Sequence, residues 1–404
     1  MDRIPMIGVS KLLLGAPSES DGLRYRDASI GGPEQISHHA TSVKANRPIV
    51  VWNSTKQCNL KCIHCYATAT THKAEDEFTT DQAKAFMDDV ASYGSPVFLF
   101  SGGEPFIRDD LTELIEYADS IGLRPVISTN GTLITEERAL AAKKAGVKYI
   151  GVSLDGLQEV NDRFRGVNGA FEAAIRGMRN SLKADVKTGL RFTITKHNRD
   201  DLPGVLLKLQ EIGVNRCCVY HLDYTGRAKE IMEHDLSPRE TRAAIKTYFD
   251  LTRHHHERGF PIETLLVGNY ADAGFLYMTL LEEDPERAEW AMELLLRNSG
   301  DGTGETIADV DHRGNVHANQ FWQDYSFGNV LERPFGEIWD DTGDPIMKGL
   351  KDKAGHIQGR CAADNCRFFP ICKGGSRVRA QAFTGNVWAP DPACYLTDEE
   401  IRIR

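Results

Sequence analysis

From residue 48 onward, short apolar runs alternate with amphipathic stretches. The runs are rich in β-branched or aromatic residues, as is typical of buried parallel strands: PIVVWN, PVFLFS, RPVIST, KYIGVS, GLRFTI and RCCVYHL. The stretches between them have helical periodicity, and the first is opened by a capping box of Thr79 and Gln82 and closed by Gly94. Six strands that alternate with helices predict right-handed β/α crossovers in a parallel sheet, as either a partial barrel or a doubly wound sheet.

The two ends of the chain follow other patterns. The first 46 residues contain Pro, Gly and Ser without periodicity and predict an irregular segment. After residue 222 the pattern becomes helical, over residues 237–258 and 270–298. From about residue 300, the turn-rich GDGTGE, a short strand pair in DVDHRGNVH and four cysteines predict a smaller domain. The predicted organisation is an N-terminal segment at 1–46, a barrel at 47–235, a helical bridge at 236–299 and a cysteine-rich domain at 300–404.

The composition is that of a soluble globular protein. The 404 residues are 41% hydrophobic and 26% charged, and roughly 150 residues per domain suggests two domains. A net charge of −10 argues against nucleic acid as a partner. The start of the chain lacks a signal-peptide pattern, and no apolar run is long enough to span a bilayer. We therefore expect a cytoplasmic protein with no membrane partner.

Three of the nine cysteines are closely spaced. Cys58, Cys62 and Cys65 form C-x3-C-x2-C in the loop after the first predicted strand, at the end of the sheet where active sites lie. Cytosolic thiols stay reduced, so metal binding is a better interpretation than disulfides. Three thiolates suit a [4Fe-4S] cluster with one iron left open to a small molecule. The alternative is zinc with His64 as fourth ligand, but a loop this tight rarely closes a tetrahedron.

The segment CNLKCIHCY resembles the signature of the radical S-adenosylmethionine (SAM) superfamily, and FSGGEP after the second strand resembles that family's GGEP motif. The resemblance implies an α/β fold in the form of a partial (β/α)6 TIM-like barrel. It also implies a [4Fe-4S] cluster that reduces bound SAM and so produces a 5′-deoxyadenosyl radical. By the same resemblance a set of strand-end residues would bind SAM, although each also fits a turn residue or an ion pair: Gly102, Gly103, Glu104, Pro105, Ser128, Asn130, Ser153, Asp155 and Arg191.

Four further cysteines occur in the C-terminal region, namely Cys361, Cys366, Cys372 and Cys394. Their spacing fits a closed cluster or an all-thiolate zinc site equally well. Resemblance to the SPASM and twitch extensions of radical SAM enzymes implies an auxiliary [4Fe-4S] cluster. The family often has a cysteine after a strand of the type DxxGxVxPC, but here the chain reads DHRGNVHAN. We therefore expect no second auxiliary cluster, and His317 is either a ligand or a hydrogen-bonded loop histidine.

Several segments resemble a tetrapyrrole-modifying subgroup, which comprises 12,18-didecarboxysirohaem deacetylase and a haem d1 biosynthesis protein. The segments include MIGVSKLLLG, VYHLDYTGRA, HANQFWQDYSFGNV and WAPDPACYLTDEEI. The resemblance implies hydrogen abstraction from an acetate or propionate side chain of a tetrapyrrole, followed by carbon-carbon cleavage. It also implies a low-potential electron donor such as ferredoxin or flavodoxin. The alternatives are a SPASM peptide maturase, whose N-terminal clamp would not fit in 46 residues, and an Fe-S electron carrier or zinc scaffold.

The candidate catalytic residues are Tyr220, His221 and Arg227, which follow or end the sixth predicted strand. His221 could ligate the substrate iron or act as an acid or base, or it could be an ordinary hydrogen-bonded histidine. Substrate carboxylates would need cations, and Arg163, Arg165, Arg191 and Arg227 lie at or after strand ends. Ion pairing on a helix surface is the alternative for Arg163 and Arg165.

Overall fold

One sheet of ten strands runs through the chain in the computed structural model, which describes residues 5–25, 47–298 and 300–403. The strands are β1 (Ile7–Gly8), β2 (Ile49–Asn53), β3 (Val97–Ser101), β4 (Arg124–Thr129), β5 (Tyr149–Ser153), β6 (Thr188–Ile194), β7 (Arg216–His221), β8 (Glu263–Val267), β9 (Ile307–Val310) and β10 (Val316–His317). Their order across the sheet is β1-β8-β7-β6-β5-β4-β3-β2-β9-β10.

All neighbouring strands from β9 to β8 are parallel, and antiparallel strands cover the two edges. The two edges do not pair with each other, so the sheet is open, as in a partial barrel. Each of the six predicted runs forms a strand, from β2 to β7. The carboxyl ends of these strands therefore lie along one rim, where loops can meet over a common site.

Helices connect the strands and cover the sheet. In chain order they are α1 (Val9–Leu14), α2 (Asp21–Tyr25), α3 (Thr80–Tyr93), α4 (Leu111–Ser120), α5 (Glu136–Lys144), α6 (Gln158–Arg165), α7 (Ala170–Lys183), α8 (Leu202–Ile212), α9 (Pro238–Glu257), α10 (Ala271–Glu283), α11 (Pro285–Asn298), α12 (Phe335–Asp340), α13 (Pro345–Lys351), α14 (Phe369–Cys372), α15 (Arg377–Thr384) and α16 (Asp398–Ile401). The predicted capping box at Thr79 and the left-handed Gly94 do delimit α3. In the described ranges, no helix is both long and apolar enough to cross a bilayer.

The structure departs from the predicted organisation at three places. The first 25 residues, predicted to be irregular, contain β1, α1 and α2, whereas residues 26–46 lie outside the described residues. The predicted helical bridge contains β8, which continues the parallel sheet beside β7. In the C-terminal region β9 pairs in parallel with β2, so part of this region belongs to the main sheet. β9 has only four residues and its partner β2 is distant in sequence, so the local pattern does not reveal it. β8 is five residues long, like β2, but it lies between two long helical stretches that dominate the local pattern.

Candidate active site

The loop that follows β2 brings Cys58, Cys62 and Cys65 to the wall of one cavity at the carboxyl end of the sheet. It is anchored to the end of α6, because the backbone N–H groups of Lys61 and Ile63 donate to carbonyl oxygens of that helix at 3.0 Å. Burial raises the pKa of the Cys58 thiol to about 12 and also raises the pKa of Cys62. Thiolates at these positions therefore need a compensating cation, as iron would supply.

Arg165 provides one positive charge behind this loop. Its Nη1 donates to Cys62 Sγ at 3.6 Å, and its guanidinium pairs with the fully buried Asp155. Asp155 in turn accepts from the Thr193 N–H at 2.7 Å. The guanidinium opposes the effect of burial on the pKa of Cys62. Asp155 and Arg165 thus support the cysteine loop, and Asp155, predicted to contact SAM, does not line the cavity.

The GGEP loop packs directly on the cysteine loop. The N–H of Gly103 donates to Thr55 O at 2.7 Å, and the N–H of Glu104 donates to Gln57 O at 2.9 Å. A Cβ at Gly103 would lie 2.1 Å from Gln57 O. Sequence reasoning assigned the glycines to close approach of a ligand, and the structure adds that they allow two backbones to touch.

Glu104 joins the same loop to the end of β4. Its carboxylate accepts from Thr129 Oγ1 at 2.7 Å and from the N–H groups of Asn130 at 2.8 Å and Phe106 at 3.1 Å. Burial raises the pKa of Glu104, although these hydrogen bonds oppose the rise. Both carboxylate oxygens are engaged, and neither Glu104 nor Pro105 lines the cavity. The structure therefore gives Glu104 a positioning contact, and it leaves the backbone as the part of this loop nearest to a ligand.

Most of the predicted barrel residues meet around this cavity, whose volume is about 130 Å³. They come from the ends of six strands and the loops after them. Besides the three cysteines, the predicted residues that line it are Gly102, Gly103, Ser128, Asn130, Ser153, Arg191, Tyr220, His221 and Arg227. Such convergence of polar groups in a concave site is what an enzyme cavity requires.

Besides Arg165, which also lines the cavity, Arg191 and Arg227 add positive charge to its wall. Arg191 stacks on the ring of Tyr220 at 4.9 Å and forms no ion pair with a described carboxylate. Arg227 holds the cysteine loop, since Nε donates to Cys62 O at 2.8 Å and Nη1 donates to Ala69 O at 2.9 Å. Its Nη2 is buried without a hydrogen-bond partner in the described residues. Arg163 is exposed and lies outside the cavity.

At the end of β7, His221 lies in the cavity wall and is held by a residue that sequence reasoning missed. Its Nε2 is 2.8 Å from Oδ2 of Asp272, and Asp272 Oδ1 accepts from the Tyr395 hydroxyl at 2.7 Å. The neighbouring Tyr220 is buried, which raises the pKa of its hydroxyl. Among the residues that line the cavity, Tyr66, Asp223 and Phe321 had no predicted role, and His64 had been considered only as a zinc ligand. Tyr66 directly follows the cysteine motif, Phe321 lies in HANQFW and Tyr395 lies in DPACYL, so these three carried a signal in the sequence, whereas Asp272 carried none.

The four C-terminal cysteines meet around a second, smaller cavity of about 20 Å³, with Phe368, Phe369 and Leu396 beside them. Burial raises the pKa of every one of these thiols, that of Cys394 to about 12. Within the described ranges, no three His, Cys, Asp or Glu side chains form a group that could hold one metal ion. Four thiols around one cavity suffice for a four-iron cluster, which binds each thiolate at a separate iron. The cysteines therefore fit an auxiliary cluster.

The remaining cysteines and His317 lie outside both cavities. Cys217 and Cys218 are buried in β7, and burial raises their pKa values to about 12 and about 11, as expected for packing residues. His317 is buried, with Nδ1 2.7 Å from Tyr325 O and Nε2 3.7 Å from Asp311. Burial would lower its pKa, but the contact with Asp311 and the charge of Asp309 raise it. His317 is a hydrogen-bonded histidine in this structure.

Comparison with known proteins agrees with this geometry. A family model described as the Radical SAM superfamily matches residues 52–209. The chain is 52% identical to the Fe-coproporphyrin III synthase of Methanosarcina barkeri, over 98% of this chain and 99% of that protein. It is 37% identical to the pre-heme d1 synthase of Dinoroseobacter shibae, over 88% of this chain and 87% of that one.

Among solved structures, Streptococcus suis SuiB bound to S-adenosylmethionine matches with a TM-score of 0.68 at 18% identity, over 87% of this chain and 78% of that one. This likeness confirms the α/β fold with a partial barrel and a C-terminal region. The cofactors of the family are a [4Fe-4S] cluster and SAM, and the cavity described above carries three thiols and strand-end polar groups suited to them. The chain therefore belongs to the radical SAM superfamily, in the group that these haem-synthesis relatives represent.

Proposed function

We propose that this protein removes acetate side chains from 12,18-didecarboxysirohaem and so produces Fe-coproporphyrin III. The observation that carries the proposal is the 52% identity to an Fe-coproporphyrin III synthase over nearly the whole of both chains. A coproporphyrin retains its four propionates, so a reaction that ends at this product removes acetates. The propionate branch, which the sequence left open, corresponds to the pre-heme d1 synthase at 37% identity.

In this proposal Cys58, Cys62 and Cys65 hold the catalytic cluster. When bound, the cluster and SAM supply a 5′-deoxyadenosyl radical that abstracts a hydrogen atom from the substrate. Arg165 donates to the sulfur of Cys62 and so stabilises the charge of a thiolate there. The aromatic rings of Tyr66 and Phe321, packed edge to face at 5.4 Å, narrow the cavity and help exclude water.

In this proposal some strand-end residues bind SAM and others bind the substrate. Ser128 and Ser153 offer hydrogen bonds suited to a ribose. Asn130 lies beside them, with its amide donating to Asn59 and to Cys58 Sγ and accepting from Thr132. Arg191 lies in the wall without a described carboxylate partner, so its guanidinium is available for the carboxylate of SAM. The unpartnered Nη2 of Arg227 is suited to a carboxylate of the tetrapyrrole.

The second group of cysteines completes the proposal. Cys361, Cys366, Cys372 and Cys394 would hold an auxiliary [4Fe-4S] cluster, a candidate acceptor for the electron that the oxidation releases. A cytoplasmic donor such as ferredoxin or flavodoxin would reduce the catalytic cluster.

The test is anaerobic incubation of the reconstituted protein with didecarboxysirohaem, SAM and dithionite, followed by mass spectrometry. Loss of two acetates supports the proposal, loss of propionates overturns it, and an unchanged mass favours a peptide substrate. Cys62→Ala should abolish formation of 5′-deoxyadenosine. Cys217→Ala is the matched control, because it removes a buried thiol outside both cavities.

A further inference from the structure

The imidazole of His221 is held at one nitrogen and open at the other. The side chain is 5% exposed, and the residue lines the large cavity at the end of β7. Its Nε2 lies 2.8 Å from Asp272 Oδ2, whereas Nδ1 forms no hydrogen bond within the described part of the chain. A carboxylate beside one ring nitrogen makes that nitrogen the one that carries hydrogen. Nδ1 is therefore the nitrogen left for a ligand, and it donates to a carboxylate when it too carries hydrogen, with Asp272 balancing the charge of the ring.

Asp272 is itself fixed in place. It lies at the start of α10, is fully buried, and accepts the Tyr395 hydroxyl at 2.7 Å on the oxygen that does not face His221. Both carboxylate oxygens are engaged, so the side chain has one orientation. Tyr395 follows Cys394 directly, which links the wall of the large cavity to the second group of cysteines.

The position of the free nitrogen indicates what it can bind. Nδ1 is flanked by the Cβ of its own side chain, which hinders the approach of the flat face of a macrocycle to that atom. A carboxyl group on a flexible arm at the edge of the macrocycle has no such obstacle. The same cavity contains Arg191 and Arg227, both suited to carboxylates.

We propose that Asp272 and Tyr395 are positioning residues that present Nδ1 of His221 to a carboxyl group of the tetrapyrrole substrate. The inference rests on the proposed function and deepens it, since it assigns one binding contact in the same cavity. His221 makes the contact, and the other two residues act through His221. Loss of either positioning residue should therefore weaken binding only while His221 is present.

The test is a double-mutant cycle on the dissociation constant of ferric didecarboxysirohaem, measured anaerobically from its absorbance with protein that contains its clusters. We expect His221→Ala to weaken binding about 10-fold, as for loss of a charged hydrogen bond. Asp272→Asn should weaken binding by about the same factor and Tyr395→Phe by less. In the His221→Ala background both changes should have little further effect. Tyr248→Phe is the matched control, since that buried hydroxyl donates to Cys217 O at 2.9 Å outside the cavity.

Additive effects in the cycle would overturn the inference, because they would show that Asp272 acts on the fold and not through His221. A change in the ligand field of the substrate iron that disappears in His221→Ala would also overturn it, since the imidazole would then bind iron. A third arm uses didecarboxysirohaem and its fully methylated ester: His221→Ala should weaken binding of the acid only, and equal weakening of both contradicts a carboxyl contact. Failure of the wild type to bind or convert any tetrapyrrole would instead refute the proposed function.

Discussion

At the scale of single residues, the catalytic cavity depends on close contacts around the cysteine loop. The Cys62 thiol is buried, yet Arg165 lies against it and Asp155 holds Arg165 in place. Burial raises the pKa of the Cys62 thiol and the Arg165 guanidinium lowers it, so the pKa of this thiol depends on Arg165 and on the Asp155 that holds Arg165. The backbone is also tightly packed at Gly103, because no side chain would fit between Gly103 and Gln57.

We predict that Gly103→Ala displaces the cysteine loop, because the added Cβ would lie 2.1 Å from Gln57 O. The reconstituted variant should retain less iron and form 5′-deoxyadenosine at least about 10-fold more slowly, as expected when reacting groups are misplaced. Gly22→Ala is the control, since that position has open space around it. Normal iron content and activity in Gly103→Ala would show that the two loops can separate without loss of function.

At the scale of elements, the N-terminal helix α2 is attached to the end of the sheet by one buried carboxylate. Glu263 in β8 accepts from Arg24 at 2.7 Å and from Arg216 in β7 at 2.8 Å. Burial alone would raise the pKa of Glu263, but the two guanidinium groups outweigh it and hold the pKa well below its usual range. This ion network ties β7, which carries His221, to a segment that the sequence predicted to be irregular.

We predict that Glu263→Gln lowers the free energy of unfolding by about 3 kcal/mol, because it removes the counter-charge of Arg216 and leaves Arg24 paired with Asp21 alone. A carboxylate with a lowered folded pKa stabilises above its unfolded pKa and loses this effect as the pH falls through the folded pKa. The thermal midpoint of the variant should therefore lie below that of the wild type by the same amount at every pH between about 6 and 8. Glu19→Gln, which removes an exposed partner of Lys187, is the control and should change little. A deficit that grows or shrinks within this range would contradict the assignment.

At the scale of the whole molecule, buried polar contacts connect the walls of the two cavities. The larger is lined by Cys58, Cys62 and Cys65 and the smaller by the four C-terminal cysteines. Besides the chain from His221 to Tyr395, Arg379 bridges them, since it pairs with Asp391 at 2.7 Å and with Asp223 at 3.4 Å. The C-terminal region is thus joined to the catalytic cavity by buried polar contacts as well as by β9.

We predict that Cys394→Ala halves the iron content of the reconstituted protein, from about eight to about four atoms per chain, because it removes one ligand of the auxiliary cluster. Formation of 5′-deoxyadenosine should persist, whereas conversion of the tetrapyrrole should fall. Cys218→Ala, which alters a buried thiol outside both cavities, should keep all its iron. Unchanged iron in Cys394→Ala, or one zinc per wild-type chain, would refute an auxiliary cluster at this site.

Much of the architecture was predictable because most strands and helices have a local pattern of apolar and polar residues. The strands from β2 to β7 were each visible as an apolar run, and the cysteine motif and GGEP followed two of them. β9 was not visible, because a strand of four residues is stabilised by its neighbours in the sheet more than by its own sequence. β8 was missed although it is as long as β2, because helical stretches flank it on both sides. Glu104 and Asp155 were predicted as site residues, but neither lines the cavity, and their side chains hold neighbouring residues in place.

The sequence by itself determined the chemistry of the protein, because three thiolates at C-x3-C-x2-C after a strand suit an open iron cluster whatever surrounds them. Only the tertiary structure decided how the rest of the chain serves that chemistry. Asp272 and Tyr395 lie 51 and 174 positions from His221 in a chain whose order gives no hint that they meet. Their contacts arise because β8, α10 and the C-terminal loops fold back onto the end of β7, and such long-range packing leaves no local pattern in the sequence.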